Sequence, residues 1–80
     1  MEEKDIFSQK LIVEQKKIFF DLKSTPKGDY LKITEKRNNI RNTIKIPAQG
    51  LVEFRETITK VIGFMETYNK ERDPNITTGP

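Results

Sequence analysis

The feature that most constrains this chain is a change of period at Pro47. Before it, apolar side chains recur at every second position; after it they recur at every third or fourth. A two-residue period sorts a strand into one apolar and one polar face, whereas the longer period lays an apolar stripe along a helix. The expected class is α+β, a four-stranded antiparallel sheet followed by one C-terminal helix.

Turn signals divide the strand half. From Phe7 to Glu14, Phe7, Leu11 and Val13 share one parity and Ser8, Lys10 and Glu14 the other, and Gln15-Lys16 forms a polar break. From Lys17 to Lys23, Ile18, Phe20 and Leu22 face one way and Lys17, Phe19, Asp21 and Lys23 the other. In the next six residues Pro26 stands where a type I turn wants its fixed φ, and Gly28 is free to take the left-handed conformation of a bulge. Tyr30 to Glu35 resumes the alternation, with Leu31 and Ile33 inward and Tyr30, Lys32 and Thr34 outward. Arg37-Asn38-Asn39 supplies turn chemistry, since asparagine tolerates positive φ. Arg41 to Ile46 makes a fourth strand, with Ile44 and Ile46 inward and Arg41, Thr43 and Lys45 outward, and Pro47 stops it.

Beyond Pro47, Leu51, Phe54, Ile58, Val61, Ile62, Met65 and Tyr68 form the helix stripe, with Glu53 near its start and Lys70 and Arg72 near its end, as the helix dipole prefers. Residues 1–5 are expected to be a flexible N-terminus, 6–70 a single folded unit and 71–80 a disordered tail rich in proline and poor in anything to bury. The apolar runs are far too short to cross a bilayer, and the acidic start Met1-Glu2-Glu3 does not resemble a signal peptide, so a cytoplasmic location is expected. The chain has no cysteine and no histidine, and its scattered carboxylates form no acid and base pair. No enzymatic activity, cofactor, metal or small-molecule substrate is therefore expected.

One helix cannot cover this sheet. It is about 10 Å across with its side chains, whereas four strands span roughly 15 to 19 Å. Val52 and Phe64, lying off the main stripe, ask the helix for more than one apolar contact. A second copy supplying the missing cover predicts a homodimer, with Leu51, Phe54, Ile58, Val61, Phe64 and Met65 at the interface.

The net charge of +3 is unevenly distributed. Ten cations face four anions between Lys10 and Ile46, whereas four cations meet five anions from Pro47 onward. The polar parity of the strands collects Lys10, Lys17, Phe19, Lys23, Tyr30, Lys32, Arg41, Thr43 and Lys45. Cations that track phosphates, mixed with rings that stack on unpaired bases, suit a single-stranded nucleic acid, and no basic recognition helix is present for a duplex groove. Against this reading, Glu14, Asp21 and Glu35 interrupt the patch, lysines on a strand surface also serve to prevent aggregation, and Phe19 and Tyr30 could pack beneath a partner. The rival is a dimeric protein-protein adaptor with no specific nucleic-acid role.

Several segments together resemble one repeat of the Pur-alpha family: Gln15-Lys16-Lys17-Ile18-Phe19-Phe20-Asp21-Leu22-Lys23, Lys27-Gly28, Tyr30-Leu31-Lys32-Ile33-Thr34-Glu35, Arg41-Asn42-Thr43-Ile44-Lys45-Ile46-Pro47 and Val52-Glu53-Phe54-Arg55. The resemblance implies a ββββα PUR repeat that exchanges helices with a second repeat in a Whirly-like fold. It also implies binding to purine-rich single-stranded DNA or RNA and a part in transcription regulation. This chain carries one repeat, as the bacterial members do, which makes an intertwined homodimer the implied unit. Gln15, Lys16 and Lys17 match the family's polar and basic motif, and Ile18 departs from the aromatic residue that usually follows it. The expected nucleic-acid contacts are Lys10, Gln15, Lys16, Lys17, Phe19, Lys23, Tyr30, Lys32, Arg41 and Lys45.

Overall fold

A computed structural model describes residues 2–72, with the side chains of residues 2–70. Four strands, β1 (Lys4–Val13), β2 (Lys16–Thr25), β3 (Gly28–Arg37) and β4 (Ile40–Pro47), form one antiparallel meander in the order β1-β2-β3-β4. A single 3-10 turn, Ala48–Gly50, leads into the helix α1 (Leu51–Arg72). Among the described residues, no helix is long and apolar enough to cross a membrane.

Strand and helix order match the periodicity, but three boundaries move. β1 opens at Lys4 rather than Phe7, so residues 4 and 5 lie in the sheet and not in a free N-terminus. The first turn is Glu14-Gln15, with Glu14 at φ 56°, and Lys16 is already in β2. The helix continues to Arg72, so the predicted tail loses residues 71 and 72, and the rest of it lies outside the described residues.

All three hairpin turns use a positive φ. Glu14 and Asn38 take it in the first and third, at 56° and 57°, and Gly28 takes it at 136° after Pro26-Lys27. Thr25 closes the middle turn: its hydroxyl accepts from the Lys27 amide at 3.1 Å and donates to the Gly28 carbonyl at 2.8 Å. A Cβ on Gly28 would meet no atom within 4 Å, so the obstacle to any other residue is its backbone conformation alone. Gly28→Ala is expected to cost about 1 to 3 kcal/mol, read from the midpoint of urea unfolding. A loss below about 0.5 kcal/mol would mean that the turn relaxes to an ordinary geometry.

A register shift between Asp5 and Phe7 leaves Ile6 as an extra residue. Such a bulge reverses parity along the strand, so Asp5 stands beside Lys23 on the polar face while Phe7 stands beside Leu22 on the apolar one. The apolar face collects Phe7, Leu11 and Val13 from β1, Ile18, Phe20 and Leu22 from β2, Leu31 and Ile33 from β3, and Ile44 and Ile46 from β4.

This face is not covered by the chain's own helix. The chain leaves β4 at Pro47 and α1 meets the rest of the molecule chiefly at its root, through the 3-10 turn. No apolar side chain is buried among the described residues; Phe7, Leu11, Ile44, Ile58, Val61 and Met65 are all exposed, and Phe64 is 74% exposed. Within the chain, both the helix stripe and the apolar sheet face stand open. On the helix, Phe64 stacks on Tyr68 with ring centroids 6.4 Å apart, one turn along the same face.

Candidate nucleic-acid interface

Residues directly opposite in neighbouring strands share a face, so the register assembles the polar face into four rows crossing the sheet. From one end these are Asp5, Lys23, Tyr30 and Pro47; Ser8, Asp21, Lys32 and Lys45; Lys10, Phe19, Thr34 and Thr43; and Ile12, Lys17, Lys36 and Arg41. The sheet holds the rows adjacent because its antiparallel ladders run with no break after the Ile6 bulge. Thr34, the one buried residue among those described, is 7% exposed and accepts a 3.5 Å hydrogen bond from Thr43.

The two ends differ in electrostatics. At the Tyr30 end, Lys23 donates to Asp5 Oδ1 at 2.7 Å, Ser8 donates to Asp21 Oδ1 at 2.8 Å and the Tyr30 hydroxyl donates to Glu3. The hydrogen bond to Asp5 holds the Lys23 ammonium above its ordinary pKa, so its charge is kept but already matched by an anion. The bond to Glu3 likewise raises the Tyr30 phenol and keeps it neutral. Lys45 lies over the Tyr30 ring, 5.5 Å from its centroid, so this ring has a cation on its face. At the other end, no anion pairs with Lys10, Lys17, Lys36 or Arg41 among the described residues.

Eight of the ten expected contacts therefore come together on one face: Lys10, Lys17, Phe19, Lys23, Tyr30, Lys32, Arg41 and Lys45. Gln15 and Lys16 do not join them. Lys16 projects to the opposite face, where it pairs with Glu35 at 2.8 Å; that hydrogen bond draws the Glu35 carboxyl below its usual range. Gln15 accepts a long 3.5 Å bond from Arg37 on the same side. The reason is the pleat itself: neighbours in a strand cannot share a face, so Lys16 and Lys17 cannot act as one basic pair on this surface. Of the three acids expected to interrupt the patch, Asp21 does so, whereas Glu35 lies behind the sheet and Glu14 occupies a turn. Lys36 escaped the sequence reading because β3 was expected to end at Glu35, although its parity with Lys32 and Thr34 was visible.

Residues 2–67 match the model of the family described as PurA ssDNA and RNA-binding protein. The chain belongs to the PurA family. Over 74 residues it is 35% identical to the transcriptional activator protein Pur-alpha of Homo sapiens, covering 84% of this chain and 22% of that protein. It is 46% identical over 50 residues to the transcription factor Pur-alpha 1 of Arabidopsis thaliana, covering 62% of this chain and 17% of the relative. With the transcriptional regulator protein Pur-beta of Homo sapiens it shares 32% identity over 88 residues, 91% of this chain and 27% of the relative. The chain thus spans about a quarter or less of the length of these PurA relatives. Four antiparallel strands followed by a C-terminal helix are what one PUR repeat is expected to contain, and the matched segment takes in all four strands and most of α1.

Proposed function

We propose that this PurA-family chain binds single-stranded DNA or RNA on the polar face of its sheet, acts as a homodimer and serves in the regulation of gene expression. One observation carries the reading: a sheet face on which cations without an ion-pair partner among the described residues flank a half-buried ring, Phe19, that has no aromatic or cationic partner among them either. Cations attract the phosphate backbone independently of sequence, and an open ring offers a stacking surface to any base. The family description and the relatives named as transcriptional regulators support the same reading.

The contacts in this proposal are Lys10, Lys17, Phe19, Lys23, Tyr30, Lys32, Arg41 and Lys45. Gln15 and Lys16 would reach the strand only around the β1–β2 turn. The dimer is proposed from what is left bare: with no apolar side chain buried among the described residues, the chain cannot offset its conformational entropy alone. In the proposed dimer α1 of each copy lies on the partner's sheet, with Leu51, Phe54, Ile58, Val61, Phe64 and Met65 in contact.

Fluorescence anisotropy tests the binding. A labelled purine-rich single strand is expected to bind well above the matching duplex and an unrelated acidic protein, with affinity falling steeply as salt rises. Equal weak binding to all three, gone at physiological salt, would reject the proposal in favour of a protein adaptor.

A further inference from the structure

The polar face is not uniform, and the difference between its ends locates where a single strand's phosphates lie. Lys17, Lys36 and Arg41 stand directly opposite one another on β2, β3 and β4, so three cations are strung across two strand spacings, about 10 Å in all. Like charges placed directly opposite destabilise a sheet. No carboxylate pairs with any of the three among the described residues, and the acids nearest in sequence, Glu14 and Glu35, sit in a turn and behind the sheet. At the other end the reverse holds, since Asp5, Glu3 and Asp21 already engage Lys23, Tyr30 and Ser8. An incoming phosphate gains most where cations lack anions, and it must displace internal carboxylates to reach Lys23.

We infer that the Lys17–Lys36–Arg41 row is the phosphate track of this face, with Lys36 as a nucleic-acid contact that completes it, and that the strand crosses the sheet with bases over the neighbouring Phe19 row. The inference rests on the proposed single-strand binding and deepens it by assigning backbone and base to different rows. The phosphate neutralises a repulsion built into the sheet, so the row binds without surrendering any internal ion pair. The acidic end is the part of the face that the strand's backbone avoids.

The test is a salt titration of a labelled purine-rich DNA single strand against the full chain and its K36Q, R41Q and K60Q variants. Each phosphate contact removed reduces the slope of log affinity against log salt by about 0.7. That corresponds to about a fivefold loss at roughly 0.1 M salt, and the K36Q/R41Q double variant is expected to lose both contacts, about 25-fold. K60Q, on the polar side of α1, removes the same charge from the molecule and is expected to leave slope and affinity unchanged. The glutamine variants lift a repulsion, so folding is not at risk, and circular dichroism verifies it. Unchanged slopes in K36Q and R41Q, with the wild type still binding, would overturn the phosphate track alone. A loss equal to that in K60Q would reduce the row to a contribution of net charge and overturn it too. Failure of the wild type to bind the strand would overturn the proposed function and the track together.

Discussion

Replacing Ile58 with aspartate is expected to destroy the proposed dimer. Ile58 stands near the middle of the helix stripe and is 45% exposed within its own chain, with Phe54, Val61 and Ile62 one turn away and Met65 two turns away on the same side. In the proposed assembly the stripe seals against the apolar face of the partner's sheet, formed by Phe20, Leu22, Leu31 and Ile33 at its centre. An aspartate there leaves a carboxylate buried with no partner, at about 3 to 5 kcal/mol, and two-fold symmetry places the change at both ends of the exchange. The combined loss is comparable to the whole stability of an ordinary domain, about 5 to 15 kcal/mol. The wild type is expected to run at the mass of two chains and to melt at a temperature that rises with concentration. The variant should run at one chain's mass and show no cooperative melt. Glu56→Lys, whose neighbours one turn away, Val52, Glu53, Thr59 and Lys60, include none of the proposed interface residues, serves as the control and is expected to keep the dimer. A variant Ile58→Asp that retained a two-chain mass and a native circular dichroism spectrum would refute the exchanged-helix assembly.

This first result depends on a feature that local periodicity could not reveal. Alternation is a property of neighbours, so the faces of Lys17, Phe19, Tyr30, Lys32, Thr43 and Lys45 could be read directly from the chain. The stripe from Leu51 to Tyr68 likewise follows from spacing. Which sheet that stripe covers is a tertiary question, and nothing in a period of three to four states it; the structure shows only that it is not the sheet of the same chain.

The smaller misses have equally local causes. An inserted residue, Ile6, reverses the parity that simple alternation assigns to Asp5 and brings it to Lys23. Glu14 at φ 56° is an unusual choice for a left-handed position, which glycine and asparagine fill more readily, so the first turn was expected one residue late. That displacement hid the separation of Lys16 from Lys17. Lys16 and Lys17 stand together in one motif of the family, whereas the pleat sends them to opposite sides.

Phe19→Ala is expected to weaken single-strand binding by about 1 to 3 kcal/mol, roughly fivefold to more than a hundredfold, while leaving its salt slope as it was. The ring lies in the third row between Lys10 and Thr34 and is half-buried. A stacked base gains from the ring's flat face and not from charge, so alanine removes affinity without removing a phosphate contact. Tyr30, the other ring on this face, is already covered by Lys45 and tied to Glu3. A base would have to displace the lysine to reach it, and Tyr30→Ala is accordingly expected to cost less than Phe19→Ala. Phe19→Trp should retain binding, and Phe19→Leu, which keeps apolar bulk but no π-face, should lose most of what alanine loses. The pattern separates stacking from burial beneath a partner. Were Phe19 sealed at a protein interface, alanine and leucine would differ chiefly in melting temperature, and dimer mass would fall before affinity did. Because Phe19 points away from the apolar face that the partner helix is proposed to cover, the stacking outcome requires an unchanged two-chain mass alongside the lost affinity.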